Sequence, residues 1–404
     1  MQSSSDQIEI NPLRNWAWAA LLQVLLLLAP RPAAGATPAY WWDTNGSDSG
    51  AGYPLDGDWD NTTLNWTDDS GGNSATFAYP GRANVVFAAT GGDDWWNPGE
   101  YTVTIHGTAR VSDIQFEDGY CTLTASSPDH LDTDAGTIGV LNSGQIASVY
   151  CNITNAAGTT NGLTKYAPGI LVLGGTNTYQ GWTTIEGGVL KLAGPQVLPN
   201  TSPLVLANGG TGGYVKTPAT LDTGGFSQTL GPLSLVGGNT NVVRAIDFEK
   251  GSGTLAFADS HLQNWNGIPL TLLNYSNRVS SLRFGTSSAG LTAAQLDLIQ
   301  FRYTASGFPL FVPAAITSNG FVVPTSPAIL SATTSGSTNR VITWKAVSGR
   351  KYVLHYKDNL NGPTWSDDGL AVTASSSTAS QTNSVGSAAH RFYWVEPLPY
   401  EPPN

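Results

Sequence analysis

The chain has 404 residues with 46 Gly, 2 Cys and a formal net charge of −11, and only 12% of it is charged, about half the roughly 25% of a typical soluble domain. That composition argues against a Lys/Glu-coated helical protein and fits an all-β chain whose turns and exposed faces are Gly, Thr, Ser and Asn. The negative charge is concentrated, because residues 37–160 hold 16 Asp and Glu against 2 Arg and no Lys. Such a field repels a phosphate backbone and argues against nucleic acid as a partner.

Residues 1–36 read as a signal peptide. An uncharged apolar run at 16–29 follows Arg14, is too short for a comfortable membrane span, and leads to Ala34-Gly35-Ala36, with cleavage expected after Ala36. No second apolar span follows, so the mature chain is expected to lack a transmembrane segment and to be secreted, extracellular or at the cell surface. Residues 37–100 form an acidic stretch rich in Trp and Asp, expected as an N-terminal cap region. Two roles are open for its rings. Trp41, Trp42, Trp59, Trp95 and Trp96 can stack on sugars as glycan contacts, or the aromatic residues can close the first coil of a solenoid, which has no neighbour to cover its core.

From 101 to 324, short runs with period-2 alternation recur, among them 101–105 (YTVTI), 121–125 (CTLTA), 170–173, 189–192 and 270–273, with Gly, Asn, Thr and Pro between them. One helix is predicted, at 292–299, with Thr292 as its cap. Most runs are too far apart for tight hairpins, although Asn208-Gly209 and Asn266-Gly267 suit them. The reading is therefore an all-β parallel β-helix or solenoid, each strand pairing with the coils above and below. Cys121 and Cys151 fall on inward positions, where either a disulfide between stacked strands or two separate buried thiols fits.

Residues 169–192 read GILVLGGTNTYQGWTTIEGGVLKL. Gly169, Leu171, Leu173, Gly175, Asn177, Thr178, Tyr179, Gly181, Thr183, Ile185, Gly188, Leu190 and Leu192 match the pattern of the autotransporter-associated β-strand repeat. With the lead-in Gly162-Leu163-Thr164-Lys165, the segment 162–192 resembles this passenger-associated transport repeat of secreted and surface proteins of Gram-negative bacteria. The leucines and Ile185 are expected to face one core stripe, Val172 and Lys191 to face out, Asn177 and Gly181 to form left-handed corners, and Tyr179 to cover the corner. Nothing in the motif is arranged for acid, base or nucleophile chemistry. No outer-membrane barrel follows, so the resemblance does not imply self-export.

Residues 325–335 read as a Pro/Ser/Thr-rich linker. The alternating, aromatic stretch 336–397 resembles a small fibronectin-III-like sandwich, and 398–404 reads as a disordered tail. Chemistry has few footholds. Asp43, Asn45 and Asp48, then Asp56, Asp58 and Asp60, then Asp129, Asp132 and Asp134 lie at spacings that can wrap calcium, or serve as turn residues. No other cofactor is suggested. Asp247 and Glu249, with Arg244 and Lys250 nearby, are the one carboxylate pair suited to glycan cleavage within 161–324; a solvated strand edge is the competing reading. The five His are scattered. The sequence thus points to a secreted, non-catalytic surface protein, adhesive or structural, with an extracellular glycan or surface component as its partner class. The alternative is a polysaccharide-active β-helical enzyme, a lyase or glycoside hydrolase, and a glycan-binding module lies between the two.

Overall fold

The computed structural model describes residues 39–88, 99–155, 159–207, 217–237, 242–249, 251–276, 280–305, 308–324, 327–336, 338–346, 351–362, 364–368, 370–386 and 390–398. The expected signal peptide, Trp95, Trp96, Lys250, Asn208-Gly209 and residues 399–404 of the expected tail lie outside them.

Alternation decides how the chain folds. In Ile170–Leu173 and Gly188–Leu192 every second residue is buried: Leu171, Leu173, Leu190 and Leu192 face inward while Val172 and Lys191 face outward. A four-residue strand cannot bury such a face alone, so it is sandwiched in parallel between neighbours: Leu173 lies beside Val149 on one side and Leu192 on the other. Repeating this arrangement stacks Val103, Leu123, Val149, Leu173 and Leu192 into one interior column. Strands on this face begin 18 to 31 residues apart between Glu100 and Ile299.

A second face is built the same way from Ala83–Phe87, Thr108–Phe116, His130–Val140, Leu163–Tyr166, Thr183–Ile185, Leu204–Leu206 and Leu233–Leu235, all paired in parallel. A third, shorter ladder joins Gln228–Leu230, Thr254–Phe257 and Ser281–Phe284. The fold is an all-β parallel solenoid. Asn266-Gly267, with φ of 50° and 71°, makes a corner between coils and no hairpin, because Leu270–Leu273 pairs in parallel on both sides. The parallel ladders also begin before residue 101, since Ala39–Trp42 pairs with Ala83–Phe87 and Gly57–Trp59 with Glu100–Ile105.

Both ends change pairing direction. At the first, Trp66–Thr67 lies antiparallel on Ala39–Trp42. At the other, Ile299–Ala305 turns back through Phe308–Ile316 to Phe321–Pro324, which closes antiparallel onto Ser281–Phe284. The predicted helix is the short Ala293–Leu298, capped by Thr292 with Gln295 in a reciprocal capping box.

After the solenoid come two small antiparallel sheets around their own core of Ile342, Trp344, Tyr352, Leu354, Ala374, Ala379 and Val395. Part of the expected linker is a strand. Ile329–Ser335 pairs with Asn339–Lys345, and all seven of its residues are exposed. It is held by backbone pairing at a sheet edge and buries no face, which is why alternation does not reveal it.

Cys121 and Cys151 are buried free thiols. The pairing of Thr122 with Ser148 sets Cys121 level with Ala147. Cys151 lies beyond the end of the neighbouring strand Ile146–Val149. Of the two arrangements left open by the sequence, the separate-thiol one is observed.

Candidate functional site

The repeat segment is built for coil-to-coil joining. The Asn177 side chain is buried; its Oδ1 accepts from Ile153 N at 2.8 Å, and its Nδ2 donates to Val197 O at 3.0 Å and Gly174 O at 3.2 Å. One amide therefore ties its own coil to the coils on both sides. The left-handed turns fall on Gly175 and Gly188, at φ of 64° and 69°, and not on Asn177 or Gly181 as expected. Gly181 is required for space: a Cβ there would lie 2.2 Å from Gly162 N. Tyr179 belongs to the interior cluster of the solenoid. It is buried, and its hydroxyl shares a hydrogen bond with Thr183 Oγ1 at 2.7 Å, which continues to Ser202 and on to Gly181 O.

Lys165 is a group the sequence reading left as part of the lead-in. Its position two after buried Leu163 gives it inward parity, and it is fully buried, with Nζ donating to the carbonyls of Tyr166, Ala167 and Gly187. Burial pushes its pKa down to about 7, against about 10.4 in an unfolded chain. Between those values the unfolded chain binds a proton that the folded chain has lost, so this group makes stability rise with pH from about 7 to about 10. Thermal melts should show that rise in the wild type and a smaller one in Lys165→Met. Equal slopes in both would refute the assignment.

Arg244 is also buried, its guanidinium donating to Val242 O at 2.6 Å and Val236 O at 2.9 Å. Asp247, three residues on, has the opposite parity and is partly exposed. Its Oδ1 accepts from Glu249 N and Asn274 Nδ2. Glu249 is engaged by Lys191, which also pairs with Asp222 at 3.7 Å. Burial raises Asp222 to about 6, while Lys191 holds Glu249 below its ordinary value. Arg244 is therefore buried on one side of its strand while Asp247 lies on the other, and Asp247 and Glu249 stay together.

The acidic turns resolve individually. Asp60 accepts from the amides and hydroxyls of Thr62 and Thr63, and the Thr63 amide is the leading cause holding its carboxyl down at about 2. Asp43 Oδ1 accepts from Asn45 N, Asp58 meets His106 at 2.9 Å, and Asp132 pairs with Arg110 at 3.3 Å. Among the described residues no three His, Cys, Asp or Glu side chains converge as metal ligands.

The aromatic end region corrects two of the proposed glycan contacts. Trp42 and Trp59 are each 1% exposed, and with Trp66, Tyr79 and Phe87 they form a packed aromatic plug with ring centroids 4.9 to 6.0 Å apart. The apolar area of so many large rings outweighs any gain from leaving them in water. Trp41, with the opposite parity, stays half-buried.

The open chemistry lies on the outer side of the first face described. Inward Tyr101, Val103 and Ile105 leave Glu100, Thr102 and Thr104 outward; inward Cys121 and Leu123 leave Tyr120, Thr122 and Thr124 outward. Register places Glu100 beside Tyr120, Thr102 beside Thr122, Thr104 beside Thr124, and Ser148 beside Thr122 on the next coil. Asp56, just before Gly57–Trp59, accepts from Thr102 N at 2.6 Å and closes one end. Asp56, Glu100, Thr102, Tyr120, Thr122, Ile146 and Ser148 border a groove of about 650 Å³.

Residues 163–192 match the passenger-associated-transport-repeat family. Over 211 residues the chain is 28% identical to the adhesin BmaC autotransporter of Brucella suis biovar 1 (strain 1330), a match covering 50% of this chain and 5% of that protein. The aligned region is thus a small fraction of the relative's length. No solved structure matches. The chain carries a passenger-associated transport repeat that spans two adjacent coils of a parallel β-solenoid.

Proposed function

We propose that this chain is a non-catalytic adhesive β-solenoid that acts outside the cell or at its surface. The reading is carried by the transport repeat at 163–192, joined to its neighbouring coils through Asn177, together with the likeness to an autotransporter named as an adhesin. The inward burial of Arg244, on the opposite side of its strand from Asp247, supports this reading over the polysaccharide-active alternative. The C-terminal pair of sheets fits a fibronectin-III-like module that follows the solenoid.

The test couples the purified chain to beads and measures saturable attachment to cultured cells and to extracellular glycans, with reducing-sugar release assayed on the same polysaccharides. Attachment without sugar release is expected. Sugar release that disappears in Asp247→Ala/Glu249→Ala would establish the enzyme instead.

A further inference from the structure

We infer that the groove over Glu100–Ile105, Tyr120–Ala125 and Ile146–Val149 binds a neutral glycan chain. The inference rests on the adhesive reading and names the ligand class for it.

The floor is made of short hydroxyl side chains, Thr102, Thr122 and Ser148, one per coil and in register. Their spacing is that of adjacent strands, about 4.8 Å, so they form a straight row of donors and acceptors running along the solenoid axis. The strands beneath are paired on both sides, with Tyr120–Ala125 held between Glu100–Ile105 and Ile146–Val149. The row is therefore fixed before any ligand arrives, and short side chains lose little rotamer freedom on binding. With its ladder hydrogen bonds already made, this face offers a peptide no free backbone edge for strand addition.

Two other features narrow the ligand. Tyr120 and Ile146 are each 37% exposed and stand on adjacent coils at one side of the row. An aromatic ring next to fixed hydroxyls suits a molecule with an apolar C–H face and polar edges, which a pyranose has. Asp56 and Glu100 supply carboxylates, and among the described residues no Lys, Arg or His lines the groove. Carboxylates are acceptors only, so they take hydrogen bonds from paired sugar hydroxyls and repel uronates, sulfates and phosphates. The surrounding region is itself acidic, with 16 Asp and Glu between residues 37 and 160. A volume of about 650 Å³ falls within the roughly 300–1,000 Å³ of ordinary ligand sites. Neutral sugar units laid along the axis satisfy all of these features together.

The experiment titrates the full chain with cellohexaose, laminarihexaose and mannohexaose, and with a polygalacturonate hexamer as the anionic probe. At least one neutral hexaose should bind, at least tenfold tighter than the anion. Tyr120→Ala and Thr122→Val should each weaken that binding at least tenfold with an unchanged melting temperature. Leu262→Ser, on a remote exposed side chain, should leave it unchanged. Binding of none of the neutral hexaoses, or full affinity in both groove variants, overturns the inference. Cell attachment then separates the two readings: if it persists the adhesive role stands without this site, and if it is absent as well both fail.

Discussion

Leu173→Asp is expected to abolish the cooperative unfolding transition of the solenoid near ordinary temperatures. Leu173 is 0% exposed and lies between Val149 and Leu192 in the interior column. A carboxylate there has no ion partner in the column, and burying one costs several kcal/mol or more. Whole-protein stability is itself only about 5–15 kcal/mol. Each coil is stabilised chiefly by its two neighbours, so disorder in one coil also uncovers the next on either side. Circular dichroism melts of the purified protein would measure this. A melting temperature equal to the wild type would mean that Leu173 faces the other way.

Trp59→Ala should lower the melting temperature by several degrees or more and leave binding in the groove intact at temperatures where the protein is folded. Trp59 packs against Trp66, Tyr79 and Phe87 at 4.9, 5.2 and 5.9 Å between ring centroids. Removing a buried ring of this size costs about 3–5 kcal/mol through lost burial and the cavity left behind. The opposite result, weakened sugar binding with no loss of thermal stability, would restore Trp59 as an exposed platform.

Much of the solenoid was legible in the sequence because period-2 alternation directly selects the side of a strand that is buried. Leu171, Leu173, Leu190 and Leu192 follow it, as does the capping of Ala293–Leu298 by Thr292. Alternation assigns a side to apolar residues, but it is misleading where a charged residue takes an inward position. Lys165 and Arg244 do so because backbone carbonyls at the corners accept hydrogen bonds from them. It also fails on Ile329–Ser335, which has no buried side at all. For Trp42 and Trp59 composition suggested either exposure or closure, and only the contacts among the rings decide.

The groove was hidden for another reason. Thr102 and Thr122 alternate visibly in their own runs, yet they become neighbours through the lateral register of two coils, as does Ser148 on the third. That register depends on the length of each intervening corner, and local pattern carries no information about it. The same limit applies to Cys121 and Cys151, whose shared inward parity says nothing of whether the two thiols meet.

The antiparallel strands at the two ends have a consequence for how such a chain can change. An exposed parallel edge invites another chain to add to it, and part of each end is covered: Trp66–Thr67 lies on Ala39–Trp42, and Phe308–Ile316 and Phe321–Pro324 close onto Ile299–Ala305 and Ser281–Phe284. Between these stops, each coil is joined to its neighbours through the same kind of contacts. Inserting or deleting a whole coil therefore leaves both stops and the outer face of distant coils as they were. What changes is the height of the column, by about 4.8 Å per coil. A molecule that must hold a contact surface away from its anchorage can lengthen by duplicating what it already has, and its reach is set in whole coils.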